Sequence, residues 1–309
     1  MNLIQRTLEL RPLAPIRLWL WHRQAAKTSM SVSHIAAKEG YAELDIRKRT
    51  LGMNKASSTL FILGSGSSIN ELSISQFSII QSHISIGINA WAIHNFVPDL
   101  YCFETGKAGG APADDTLYIS ERLQRKEVVD ARPEFLFLRP TLPATVKNLV
   151  RAPSTLDGKG TLYGRTNLIS RSQKNLVTDL ERVLQRIWSG HSPSNVLFDN
   201  GSSVVRMIVL GFAQGFRDIV LAGVDLDSRP YFWLAPNSPY RSADTERIFS
   251  RPANTPHSTL STDGRPFATN EVITTLASIL SRRYGVRLWV AKSSSTLSVF
   301  LPTFPWRER

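Results

Sequence analysis

The chain has 309 residues, 37 Lys and Arg against 25 Asp and Glu, one cysteine and six histidines. A formal net charge of +12 points to an acidic partner, whether nucleic acid, an anionic membrane surface or a phosphorylated substrate. A single cysteine, Cys102, excludes an intramolecular disulfide, fits a reducing compartment and leaves no cysteine-based zinc cluster.

The first stretch, MNLIQRTLELRPLAPIRLWLWHRQAAK, mixes Leu, Ile and Trp with Arg6, Arg11, Arg17, Arg23 and Lys27. Its apolar residues are interrupted by arginines, which excludes a signal-peptide reading. No run of about 18 apolar residues occurs, so no spanning helix is expected. Residues 1–57 read as a basic N-terminal extension without core periodicity, able to lie on an anionic bilayer.

From Leu60 the pattern changes. TLFILG reads as a buried strand that runs into Gly64-Ser65-Gly66-Ser67, and SINELSISQFSIIQS follows with helical spacing. HISIGINAW is a second strand broken by Gly87 and ending at Asn89. PDLYCFETG is a third, ending at Glu104. A loop, GKAGGAPADD, leads to a helical pattern in DTLYISERLQRK and a further strand in EFLFLRP. Residues 143–193 are basic and hold a helix in NLVTDLERVLQRIW.

The clearest unit is DNGSSVVRMIVLGFAQGFRDIVLAGVDLD. A turn at Asn200-Gly201 and an N-cap at Ser202 open a helix with Val205, Ile208, Val209 and Phe212 on one face. Gly215 stops it, and a buried strand then ends at Asp225. Residues 227–268 are loop-rich and read as a lid insertion. NEVITTLASILSRRYG is a closing helix, and VRLWVAKSSS is a last strand with a serine loop. Strands alternating with helices argue for a parallel sheet with crossovers.

A strand, a glycine-serine loop and a helix together offer backbone N–H groups and a positive helix end to an anion. The third glycine of a dinucleotide fingerprint is Ile69 here, and no P-loop Lys-Ser/Thr is present, which disfavours NAD and P-loop chemistry. The polar strand ends at Asn89, Glu104 and Asn200 to Ser203 are expected to converge on one sheet edge, where ligands of open α/β sheets bind.

In order along residues 58–303, LGSGSSINEL, IGINAW, SSVVRMIVLGFAQGFRDIVLAGVDL, HSTLSTDG and YGVRLWVAKSSSTLSVFLP resemble five motifs of the bacterial CMP-sialic-acid sialyltransferases, glycosyltransferase family 42. The resemblance implies an α/β, Rossmann-like, doubly wound and mostly parallel sheet, a GT-A-like sialyltransferase variant with a loop-rich lid. It implies metal-independent, inverting transfer of sialic acid or a related keto-sugar acid from a CMP-sugar to a glycan or lipid-linked saccharide, as in lipopolysaccharide or capsule biosynthesis. No cofactor is implied, and the enzyme would be cytoplasmic or peripheral on the inner membrane face.

By the same resemblance His257 falls at the general base, whose imidazole suits proton abstraction near neutral pH. Ser202 and Ser203 fall where the family grips the donor carboxylate. Ser65 replaces the family's first-loop asparagine, Asn89 matches its second-strand asparagine, and Glu104 replaces a further nucleotide-contacting asparagine. Gly64, Gly66, Ser67, Asp225, Ser294 and Ser295 complete the expected donor site. Tyr231 and Tyr240 are the candidates to donate to the leaving phosphate. The family's arginine near the Thr-Ser pair is Asn200 here, and GRPFAT is inserted after Asp263.

Two other readings remain. A pyrophosphokinase-like transferase, resembling the hydroxymethylpterin family, would use ATP and Mg²⁺ held by Glu104, Asp225 and Asp227. A basic nucleic-acid-binding or membrane-bound accessory protein would also suit the charge, although basic-aromatic interleaving of the RNA-binding kind is missing.

Overall fold

The computed structural model describes residues 13–48, 55, 57–103, 114–138, 160–168, 172–249 and 267–307. Among the described residues nine strands form one sheet: β1 (Ala42–Glu43), β2 (Thr59–Leu63), β3 (Ile84–Ile88), β4 (Leu100–Phe103), β5 (Glu134–Leu138), β6 (Gly160–Asn167), β7 (Val196–Asp199), β8 (Asp218–Ala222) and β9 (Arg287–Val290). The order is β1-β6-β5-β4-β3-β2-β8-β9, with β7 paired to the C-terminal half of β6, and every pair is parallel. The α/β, Rossmann-like reading of the sequence matches this arrangement.

The helices are α1 (Ala14–Glu39), α2 (Ile74–Gln81), α3 (Asp114–Leu123), α4 (Lys126–Ala131), α5 (Gln173–Trp188), α6 (Ser203–Ala213), α7 (Ala243–Phe249) and α8 (Thr269–Tyr284). Side chains alternate along each strand, so the sheet feeds two cores. Leu60 and Ile62 pack with Leu180 of α5, Ile208 of α6 and Ile279 of α8. Phe61 and Leu63 face Ile80 of α2, Val128 of α4 and the aromatic cluster around Trp91 and Phe232. Parallel strands covered on both faces read as continuous apolar runs, which is why β2, β3, β4, β5 and β8 stand out in the sequence.

Residues 14–48 depart from the expected extension. They form a 26-residue helix and an edge strand that belong to the layered fold. Trp21, Ala25, Val32 and Ala36 of α1 are buried. Arg17, read as a surface cation, is buried in a two-pronged pair with Asp179 of α5, Nε to Oδ2 at 2.8 Å and Nη2 to Oδ1 at 2.9 Å. The helix rides so close to β6 that a Cβ on Gly164 would collide with Thr28.

Two strands were not anticipated, β6 inside the basic stretch and β7 just after it. β6 is interrupted in hydrophobicity by Gly164, Arg165 and Thr166, and β7 is only four residues long. Gly87 does not break its strand. It pairs with both Leu63 and Tyr101, and it is glycine because a Cβ would press on the Trp91 ring at 2.5 Å. Within the expected lid, the described residues 227–249 are packed, with Phe232 and Trp233 buried and α7 following them.

Candidate functional site

The chain winds outward from β2 through β3 and β4 to one side, and through β8 and β9 to the other. The order therefore reverses between β2 and β8, the place where open sheets of this kind form a crevice at their strand ends. A cavity of about 440 Å³ opens there, lined by the C-terminal ends of β2, β3, β4 and β8 and by the start of α6.

The loop after β2 forms its floor. Gly64 approaches β8 so closely that a Cβ would sit 2.5 Å from the Gly223 carbonyl oxygen. Gly64 N–H donates to Ala222 O at 2.7 Å, and Gly66 N–H to Gly223 O at 2.7 Å. Ser68 donates to Asp225 twice, from its backbone N–H at 2.9 Å and its hydroxyl at 2.5 Å. Three alternate N–H groups of the loop are thus committed to the β8 end. The glycines serve close packing of two strand ends, and the loop is not an open phosphate cradle.

Asp225 is buried, and burial pushes its carboxyl pKa up, while the two Ser68 hydrogen bonds and the Arg229 guanidinium 3.5 Å away pull it down.

The opposite wall is built from Asn89 and α6. Asn89, directly after β3, has φ 54°, a left-handed conformation that asparagine tolerates better than most residues. Its amide faces the Ser203 hydroxyl, with Nδ2 at 3.2 Å and Oδ1 at 3.3 Å. Ser202 is the N-cap of α6, and its side chain makes no capping bond. The first turn of this eleven-residue helix, through Ser202, Ser203 and Val204, borders the cavity.

The turn into α6 is held by Asp199. Its Oδ1 accepts from Ser202 N–H at 3.0 Å and lies 2.8 Å from Nη1 of Arg206, while Oδ2 accepts from Arg165 at 3.0 Å. Burial raises the Asp199 pKa, opposed by Arg165 and the backbone donors, and burial lowers that of Arg206 to about 10. Asn200 donates to Phe267 O at 2.9 Å and so ties this turn to the start of α8.

A third wall is aromatic and partly charged. Tyr231 and Trp233 stack at 4.8 Å, and Phe103, Ile119 and Phe249 add apolar surface. Arg229 sits at the mouth, donating to Asp227 at 2.6 Å and to Ser294 O at 2.7 Å. Leu226, with φ 51°, lines the same cavity, so two of the three described non-glycine residues with positive φ are here. Backbone strain of this kind concentrates at binding and catalytic sites.

Of the sequence candidates, Gly64, Ser65, Gly66, Asn89, Ser202, Ser203, Asp225 and Tyr231 line the cavity. Ser67 opens a short 3-10 helix just beyond the lining loop. Ser294 donates to Glu71 at the rim, and Ser295 is buried, donating to Val224 O and capping the next turn. Tyr240 lies behind the aromatic wall, 4.8 Å from the His94 ring, its hydroxyl facing the Asn95 N–H at 3.5 Å. His94 accepts from Phe96 N–H, and burial with nearby Arg125 lowers its pKa to about 3, so it is neutral there. His257 and Glu104 lie outside the described residues.

Arg229, Trp233, Phe249, Phe103, Ile119 and Leu226 were not anticipated. The run Tyr231-Phe232-Trp233 just after a strand end was the available signal for part of that wall. Among the described residues no helix is long and apolar enough to cross a membrane.

No protein-family model matches the chain, and no curated protein does. Among solved structures, the fold is similar to that of the sialyltransferase CST-II, determined in complex with trisaccharide acceptor and CMP. The TM-score is 0.37 and the identity 15%, over 80% of this chain and 86% of that one. It is also similar to the MAf glycosyltransferase from Magnetospirillum magneticum AMB-1, with TM-score 0.44 and 15% identity, over 81% of this chain and 33% of that one.

Proposed function

We propose that the protein is a glycosyltransferase that moves sialic acid or a related keto-sugar acid from a CMP-sugar to a saccharide acceptor, with inversion and without a metal. The observation that carries this reading is the pairing of left-handed Asn89 with Ser203 at the start of α6, beside the switch-point cavity. An anionic sugar acid fits a helix N-terminus flanked by two serine hydroxyls. A donor with a single phosphodiester needs neither a pyrophosphate turn nor a P-loop lysine, in keeping with a glycine loop whose N–H groups are already bonded to β8.

In this account Ser202, Ser203 and the first N–H groups of α6 hold the donor carboxylate. Asn89 and Ser65 orient the nucleotide, and the Tyr231–Trp233 wall excludes water from it. The acceptor hydroxyl gives its proton to His257 as its oxygen bonds to the anomeric carbon. The bond from that carbon to the CMP phosphate oxygen breaks, and CMP leaves with the electron pair, assisted by a hydrogen bond from Tyr231.

The ATP and Mg²⁺ reading fares less well. It needs Asp225 and Asp227 as ligands, yet Asp225 is bonded to Ser68 and Asp227 to Arg229. The deciding assay is release of CMP from CMP-sialic acid in the presence of EDTA. The reading expects turnover that EDTA leaves unchanged and that His257→Ala abolishes while CMP still binds. Turnover that needs Mg²⁺, or none with any CMP-sugar, overturns it.

A further inference from the structure

One face of α1 is turned to solvent along its length. Ile16, Trp19, Arg23, Lys27 and Met30 recur at spacings of three and four, which places them in a single stripe. Ile16, Trp19 and Met30 are 46%, 56% and 66% exposed, and Arg23 and Lys27 are exposed between them. At 1.5 Å per residue the stripe runs about 21 Å. Single exposed apolar side chains are ordinary, but a line of them alternating with cations is not.

Two further observations fix the chemistry of what this face meets. From Ala14 to Lys38 the helix has no acidic residue. The Arg23 guanidinium also lies over the Trp19 ring, 5.5 Å from its centroid, so cation and aromatic form one unit. The helix is not free to roll and bury the stripe. Arg17 is pinned to Asp179, and Trp21 and Val32 are in the core. Trp21, which the sequence places beside Trp19 as an equal candidate for apolar insertion, is excluded by that burial.

We propose that the Ile16–Trp19–Arg23–Lys27–Met30 face of α1 docks the protein on an anionic lipid bilayer. Trp19 sits at headgroup depth, where tryptophan is favoured, with Ile16 and Met30 inserted beside it and Arg23 and Lys27 against lipid phosphates. Apolar insertion and basic charge supply the two signals that stable peripheral binding needs. This inference stands apart from the reading of the cavity, because lipid binding is measured without any substrate.

The test is co-sedimentation of the full chain with phosphatidylcholine vesicles and with vesicles of phosphatidylcholine and phosphatidylglycerol at roughly 3:1. Wild type is expected on the anionic vesicles only, with binding that falls as salt is added. Ile16→Ser with Trp19→Ser, and separately Arg23→Glu with Lys27→Glu, are each expected to lower partitioning about tenfold or more. Their thermal unfolding midpoints should stay at the wild-type value, because these side chains are exposed. The proposal is overturned if both variants bind anionic vesicles as wild type does, if wild type binds neither vesicle or both equally, or if the Ile16 and Trp19 changes alter only the concentration dependence of self-association.

Discussion

The amide of Asn89 and the hydroxyl of Ser203 meet at 3.2 Å, joining the end of β3 to the start of α6 across 114 positions of sequence. Asn89 has two separable duties there. It occupies a left-handed backbone site, and it presents its amide beside the helix N-terminus. Asn89→Gly keeps the backbone and loses the amide, so stability should stay close to wild type while CMP affinity falls about tenfold, the loss of one polar contact. Asn89→Ala loses both and should be less stable than the glycine variant by about 1 kcal/mol. Denaturant unfolding and calorimetric titration with CMP measure the two effects separately.

Gly66 tests the idea that the loop after β2 is shaped by Asp225. A Cβ at this position would collide with the Asp225 carboxylate. Gly66→Ala should cost about 1–3 kcal/mol, as overpacking does, and should weaken CMP binding because the Ser68–Asp225 bonds are displaced. A variant with wild-type stability and affinity would mean that the loop adjusts freely.

Arg17 and Asp179 test whether α1 is integral to the fold. Each side chain is buried against the other. Arg17→Met or Asp179→Leu alone should destabilise by about 3–5 kcal/mol, since either leaves an unpaired buried charge. The double variant should recover most of the loss. Unfolding midpoints that barely move in the single variants would return α1 to the status of an appendage.

His94 sets a pH dependence of stability. Its pKa is about 3 in the fold, against an ordinary value of 6.5. Between those values the unfolded chain binds a proton that the folded chain does not, so stability rises with pH across the window. The contribution is complete above pH 6.5 and is lost as pH falls toward 3, by about 1.4 kcal/mol per unit. Asp199 and Asp225, whose pKa values are raised, act in the opposite sense at the acid end. The measurable quantity is therefore the difference in slope between wild type and His94→Gln. Equal slopes would show that the imidazole is protonated in the folded protein.

How much of this was legible follows from how each segment buries itself. TLFIL, LYCF and DIVLA are buried at or near every position, so their apolar runs betray them as central strands. α1 hides because its core face mixes Trp21 and Val32 with Ala25, Ala36 and the ion-paired Arg17, while Ile16, Trp19 and Met30 on the opposite face blur the period. β6 hides because Gly164 and Arg165 sit in its middle, where the glycine is required by the passage of Thr28.

The same logic holds at the cavity. Asn89, Ser202, Ser203 and Asp225 follow strand ends, where polar residues stand out after apolar ones, and topology gathers them. Trp233, Phe249 and Ile119 come from the insertion and from α3, and nothing in their local pattern distinguishes a cavity wall from a core. The serines after β9 look like donors to a ligand, yet Ser295 spends its hydroxyl on Val224 and its own turn.

The central claim is that the crevice between β2 and β8 holds a CMP-sugar. Its most direct test is the thermal unfolding midpoint with CMP plus EDTA, set beside ATP plus Mg²⁺. At a ligand concentration of about 100 times Kd, specific binding stabilises the fold by about 2.7 kcal/mol, a shift of several degrees. The account predicts that shift with CMP, undiminished by EDTA and reduced in Asn89→Gly. A shift with ATP and Mg²⁺ and none with CMP would contradict it.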